Sequence, residues 1–188
     1  MKTPIDYSNL IPGDVWGTTR VDPLGCIIRL TEVWRSTKNA IASARAMFDV
    51  RVPSHILLTC EEHDLYYGME MTWPEIRHVD LHDYDGRFGK SRTVFRARIP
   101  QIASFYHGSN YGIVNQWILK CHERNVKYDW KGLLEFWGIA EDEKSKWYCS
   151  EFFREMLRHF NVGFPGPWED SVDPLDVYRY CTAHQLII

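Results

Sequence analysis

Three residues, Cys149, His55 and Glu70, carry the chemistry that the sequence suggests. Cys149 opens the amphipathic segment CSEFFREMLRHF, whose apolar residues fall on one face and predict a helix. A thiol at a helix N-terminus lies at the positive end of the helix dipole, which favours the thiolate, and the first N–H groups of the helix can receive an oxyanion. We therefore interpret Cys149 as a candidate nucleophile, with a buried core cysteine as the alternative.

A predicted β-hairpin brings His55 and Glu70 together. The stretch SHILLTC contains His55, the stretch LYYGMEMTW contains Glu70, and both have strand character with a polar turn between them. A turn centred near Glu62 and His63 places His55 and Glu70 roughly opposite one another on adjacent strands. The imidazole can then take the proton of Cys149, while the carboxylate fixes the imidazole tautomer. Taken alone, either residue is more often an exposed or structural side chain.

The other elements that position this trio are predicted from hydrophobic periodicity and turn residues. Together they give an α+β pattern, in which a small antiparallel sheet is packed with helices. The expected elements are a strand within 11–19, a helix over 24–34 starting at Asp22-Pro23, a loop over 79–85, a strand over 92–99, a helix over 111–125, a short helix or turn over 130–137, and a last helix starting at Asp173-Pro174.

The length of 188 residues fits one domain that spans residues 1–188. Within it, the polar and alanine-rich stretch 34–53 leaves several interpretations open. It is a second helix, an insertion, or a lid over the cleft.

The composition narrows the function classes. A net charge of −3 and the lack of a basic run argue against nucleic-acid binding. Neither a signal peptide nor a run of about 18 apolar residues is apparent, so a cytoplasmic protein without a transmembrane segment is expected. The five cysteines are then expected to be free thiols, with Cys26 and Cys121 in the core and Cys60 on a hairpin face.

A metal site is the weaker alternative chemistry. His78 and His82 lie four residues apart, and Asp80, Asp83 and Asp85 offer oxygen ligands nearby. The segment has loop character, however, and lacks the glutamate of a zinc-hydrolase helix. We therefore expect no metal and no cofactor.

Short motifs along the chain match those of one known family, in order, from about residue 11 to residue 178. They are Pro12-Gly13-Asp14-Val15, Ser54-His55-Ile56-Leu57-Leu58, Met69-Glu70, Val94-Phe95-Arg96, Tyr128-Asp129, Trp147-Tyr148-Cys149-Ser150-Glu151-Phe152 and Val172-Asp173-Pro174-Leu175-Asp176. The chain thereby resembles the permuted NlpC-like papain-fold hydrolases of the YiiX/YebB type.

The resemblance implies a circularly permuted papain-like fold, with a small antiparallel sheet or barrel in which the histidine strand precedes the cysteine helix. It implies a Cys–His–Glu triad and an acyl-enzyme in the cleavage of amides, including peptidoglycan-type peptides. Tyr128, Tyr148 and Ser150 become candidates for contacts with the oxyanion or substrate. The bulky run Ile56-Leu57-Leu58 departs from the family pattern, so the substrate is not carried over.

Other functions stay open at this stage. One is an acyltransferase or lipid esterase of the same fold. Another is a catalytically silent binding protein or a virion-associated structural protein, which would act in the host cytoplasm or the virion if phage-encoded. The expected partner is a small peptide-like or acyl substrate.

Overall fold

Five β-strands form one antiparallel sheet in the computed structural model. The structure describes residues 9–20, 23–49, 51–63, 65–72, 74–84, 91–106, 112–129, 146–169 and 172–188. The strands are β1 (Val15–Arg20), β2 (His55–Glu62), β3 (Leu65–Met71), β4 (Ile76–Val79) and β5 (Ser91–Ala97). Their order across the sheet is β4-β3-β2-β1-β5. Strand β2, which carries His55, is thus hydrogen-bonded on both sides and held firmly.

The described part also contains six α-helices and two short 3₁₀ helices, which confirms the α+β class. None of these helices is long and apolar enough to cross a membrane. They are α1 (Pro23–Thr37), α2 (Ala40–Ala46), α3 (Pro100–Tyr106), α4 (Ile113–Glu123), α5 (Cys149–His159) and α6 (Pro174–Ala183), with 3₁₀ turns at Leu81–Tyr84 and Gly166–Glu169.

Helix α5 forms the centre of the main core. Its Phe152, Phe153 and Met156 are fully buried and belong to one apolar cluster with Ile56 and Leu58 of β2. Each such side chain contributes about 1.5–3 kcal/mol when it leaves water. Since this packing begins one turn after Cys149, it fixes the end of the helix that carries the thiol.

The hairpin of β2 and β3 has a register that differs slightly from the expected one. Leu57, not His55, lies opposite Glu70, so the turn is centred after His63 rather than before it. The polar run in the turn contains no Asn-Gly or other two-residue signal that would fix the loop. Diagonal neighbours on adjacent strands remain within reach of long side chains, and Glu70 still meets His55.

Residues 34–49 complete a helical hairpin. Helix α1 runs on to Thr37, and α2 begins after Asn39, whose Oδ1 accepts the N–H groups of Ile41 and Ala42 at 3.0 Å each. The second-helix interpretation is confirmed for this part of the stretch. A role as a lid stays a prediction. Large apolar side chains are exposed on this hairpin, at Trp34, Ile41 and Phe48.

The segment expected as a loop over 79–85 is more regular where it is described. It contains the end of β4 and a 3₁₀ helix, while Asp85 lies outside the described residues. His78 belongs to β4 and stacks on His122 of α4, whereas His82 lies in the 3₁₀ helix, so the two do not share a helix face. Neither β4 nor α3 was expected, and the predicted element at 130–137 lies outside the described residues.

Candidate active site

Cys149 is the first residue of α5, and the chain around it is held by hydrogen bonds. Glu151 reaches back and accepts the backbone N–H of Tyr148 at 3.2 Å, which fixes the first turn. Ser150 donates its hydroxyl to the carbonyl oxygen of Val172 at 2.7 Å, and the Tyr148 hydroxyl accepts the N–H of Val172 at 3.3 Å. The thiol therefore projects from a helix terminus whose position is fixed from two sides.

His55 and Glu70 meet in a buried hydrogen bond. His55 is 5% exposed and Glu70 is 1% exposed, and 2.7 Å separates Nε2 of His55 from Oε2 of Glu70. Because Nε2 is engaged by the carboxylate, Nδ1 is the ring nitrogen left for the thiol. Burial opposes a charge on the ring, but Cys149 acts to raise the pKa of His55, as expected of a thiol that faces the imidazole. The three predicted residues are thus brought together in the order Cys149, His55, Glu70.

The electrostatics of His55 favour its charged form. Burial opposes a charge on the ring, but the negative charges of Cys149 and Glu70 and the hydrogen bonds to both outweigh it. Together these interactions raise the pKa of His55 to about 10. An imidazolium beside a thiolate is the form in which a Cys–His pair attacks carbonyl groups.

Glu70 is held as a carboxylate. Burial works against its charge, but the charge of His55, the hydrogen bonds from His55 and Tyr84, and the charge of Arg77 lower the pKa of Glu70 to about 2. Arg77 donates to Oε1 through Nε at 2.6 Å, and the Tyr84 hydroxyl donates to Oε2 at 2.5 Å. Glu70 therefore keeps its charge and its orientation across the range in which His55 titrates.

Sequence reasoning missed Arg77 and Tyr84. Arg77 lies directly opposite Glu70 in the pairing of β3 with β4, and an opposite-charge pair facing across two strands is a detectable signal. Detecting this signal requires that β4 is recognised as a strand, but β4 is only four residues long and follows a proline. Tyr84 comes from the 3₁₀ helix after β4.

The three oxyanion or substrate candidates occupy different settings. The hydroxyl groups of Tyr148 and Ser150 both bond the backbone of Val172, so they support the helix start. Tyr128 is 9% exposed, and burial and then the charge of Cys149 raise its pKa. Among these candidates, Tyr128 therefore has the environment expected of a donor beside the nucleophile.

The other four cysteines differ from Cys149 in their chemical environment. All five are free thiols, as expected. Burial raises the pKa of Cys60, Cys121 and Cys181 to about 12, which keeps those thiols protonated. The prediction that Cys26 belongs to the core is wrong, since it is only partly buried on α1. Cys149 is as buried as Cys121, at 3% exposure each, but Cys149 is the cysteine that acts to raise the pKa of the buried His55.

No model of a known protein family matches the chain, and no curated protein matches it at a significant level.

Proposed function

We propose that this protein is a cysteine hydrolase in which Cys149 is the nucleophile, His55 the general base and acid, and Glu70 the group that orients His55. The observation that carries the proposal is the buried hydrogen bond of 2.7 Å between His55 and Glu70, supported by the effect of Cys149 on the pKa of His55. A structural cysteine has no need of a histidine whose proton is held by a buried carboxylate.

The reaction that fits these groups is acyl transfer through a thioester. The sulfur of Cys149 bonds to the carbonyl carbon of an amide or ester, and the oxygen becomes an oxyanion. Backbone N–H groups at the start of α5 and the Tyr128 hydroxyl are the proposed donors to that oxyanion. His55 gives its proton to the leaving amine or alcohol as the bond breaks. Water then attacks the thioester, His55 takes its proton, and the acid leaves with the thiolate restored.

The fold we propose for this activity is the circularly permuted papain-like one. Its support is the chain order, in which the histidine strand β2 precedes the cysteine helix α5, and the packing of that helix against an antiparallel sheet. The motif resemblance adds the YiiX/YebB type of permuted NlpC-like hydrolase. Amides of peptides, including peptidoglycan-type peptides, are the proposed substrates.

Incubation with p-nitrophenyl acetate tests the proposal without knowledge of the natural substrate. We expect a burst of p-nitrophenol and one acetyl group on the peptide that contains Cys149, read by mass spectrometry at quenched early times. His55→Ala is expected to suppress both signals, whereas His159→Ala, at the far end of α5, leaves them intact. Acetylation that spreads over several cysteines, or a missing burst, would contradict the proposed acyl-enzyme.

A further inference from the structure

The buried carboxyl group of Glu32 on α1 has no hydrogen-bond partner among the residues that the structure describes. It is 2% exposed, and within the described structure neither Oε1 nor Oε2 is bonded. The cation one turn earlier, Arg29, is satisfied elsewhere: it donates to Thr19 Oγ1 at 2.7 Å and to the carbonyl oxygens of Arg20 at 2.6 Å and Met47 at 2.8 Å. A buried polar group left without a hydrogen bond costs about 1–3 kcal/mol, so an acid at this position lowers the stability of the fold.

The helix that carries Glu32 is joined to the residue that precedes His55. Arg29 also donates to Ser54 Oγ at 3.4 Å, and Ser54 directly precedes His55, so the buried face of α1 meets the end of β2 that carries His55. Thr18, which pairs with His55 between β1 and β2, is the other described residue whose buried side-chain oxygen has no partner. One of these two residues therefore lies opposite His55 in the sheet.

The groups that act on Glu32 from other helices are negative. Burial has the largest effect, and the charges of Asp173, Cys149 and Asp176 add to it in raising the pKa of Glu32, while Arg29 opposes them. Asp173 and Asp176 are fixed in place, because each accepts the backbone N–H of the other, at 2.8 and 3.4 Å. Burial and these negative charges thus raise the pKa of Glu32, and the charge of the proposed nucleophile is among them.

We propose that Glu32 anchors a primary ammonium group of the substrate next to Cys149, which makes amine-bearing amides or esters the substrate class. This inference rests on the hydrolase function proposed above. An ammonium group supplies the hydrogen bonds that both oxygens of Glu32 lack, and its charge offsets those of Asp173 and the thiolate. On binding, Glu32 passes from carboxylic acid to carboxylate and releases its proton to solvent. A methyl group in the same place would leave the carboxyl group unpartnered.

Calorimetry on the full chain with two simple ligands tests the subsite. The ligands are 6-aminohexanamide and heptanamide, in which a methyl group replaces the ammonium group. We expect the amine to bind at least about tenfold more tightly. Its heat should also depend on the buffer, because a proton is released. Glu32→Gln is expected to abolish the preference and the proton release and to bind heptanamide as the parent does. Glu75→Gln, at an exposed carboxylate paired with Lys127, serves as the matched control.

Equal affinity of the two ligands for the parent, or a preference that survives Glu32→Gln, would overturn the subsite. Glu32→Leu guards against a folding artefact: its melting temperature should equal or exceed that of the parent, because it removes an unpartnered buried carboxyl group. A large fall in the melting temperature of both variants would instead assign Glu32 a structural role and overturn the proposal.

Different experimental results refute the ammonium subsite and the hydrolase function. A protein that binds 6-aminohexanamide through Glu32 but is never acylated at Cys149 refutes the hydrolase, and the ammonium site remains as a binding site. A protein that is acylated at Cys149 but shows no amine preference keeps the hydrolase and refutes the subsite.

Discussion

Replacing Cys149 by alanine is expected to reduce turnover of any ester or amide substrate by roughly 10⁴-fold or more. Without the sulfur no thioester forms, and only the binding energy and the oxyanion donors remain. The fold should survive, because the side chain is small and its loss leaves the apolar packing of α5 from Phe152 onward intact. Turnover is measured with p-nitrophenyl acetate, and folding by circular dichroism.

The matched control for this variant is Cys121→Ala. Cys121 has the same exposure as Cys149 but lies on α4, without a histidine partner. It should keep nearly full turnover. If Cys149→Ala retained the parental rate, the nucleophile would have to be sought elsewhere and the proposed mechanism would be wrong.

Changing Glu70 to glutamine is expected to lower turnover by roughly 10²- to 10⁴-fold while preserving the shape of the site. The amide can still bond Nε2 of His55, but it carries no charge to stabilise the imidazolium. The pKa of His55, raised to about 10 with Glu70 present, therefore falls, because a nearby negative charge is removed. The imidazolium form is lost at a lower pH in the variant, so the alkaline limb of the pH–rate profile should move to lower pH.

A stability change accompanies the Glu70→Gln change and must be separated from the catalytic one. Removing one partner of a buried pair costs about 3 kcal/mol, which for a chain of this length lowers the melting temperature by about 6–12 °C. Rates are therefore compared well below both melting temperatures. Glu75→Gln, on the neighbouring exposed pair with Lys127, should change turnover by less than about twofold. An unchanged pH profile for Glu70→Gln would show that Glu70 does not act through His55.

The fold could be predicted from the sequence where the pattern was strong. The alternation in SHILLTC and LYYGMEMTW identified β2 and β3, and the apolar face of CSEFFREMLRHF identified α5. These three elements carry the candidate site, so Cys149, His55 and Glu70 could be proposed from the sequence.

The remaining features depend on contacts that periodicity does not encode. Strand β4 is too short to show alternation of polar and apolar residues. The pairing of Arg77 with Glu70 therefore could not be predicted from the sequence. The hairpin register was missed by two residues, with Leu57 instead of His55 opposite Glu70, because the turn has no strong sequence signal. Glu32 looks like an ordinary helix residue, and only the tertiary structure shows that it is buried and has no hydrogen-bond partner within the described part of the chain.

The most direct test of the central claim is the rate at which iodoacetamide alkylates Cys149 as a function of pH, in the parent and in His55→Ala. Peptide mass spectrometry reads each cysteine, and the partly buried Cys26 serves as an internal reference in the same digest. We expect fast alkylation of Cys149 well below about pH 8.5, where an ordinary thiol is protonated, and a large slowing in His55→Ala. Slow alkylation of Cys149 that is indifferent to His55 would contradict the thiolate–imidazolium pair and, with it, the proposed hydrolase.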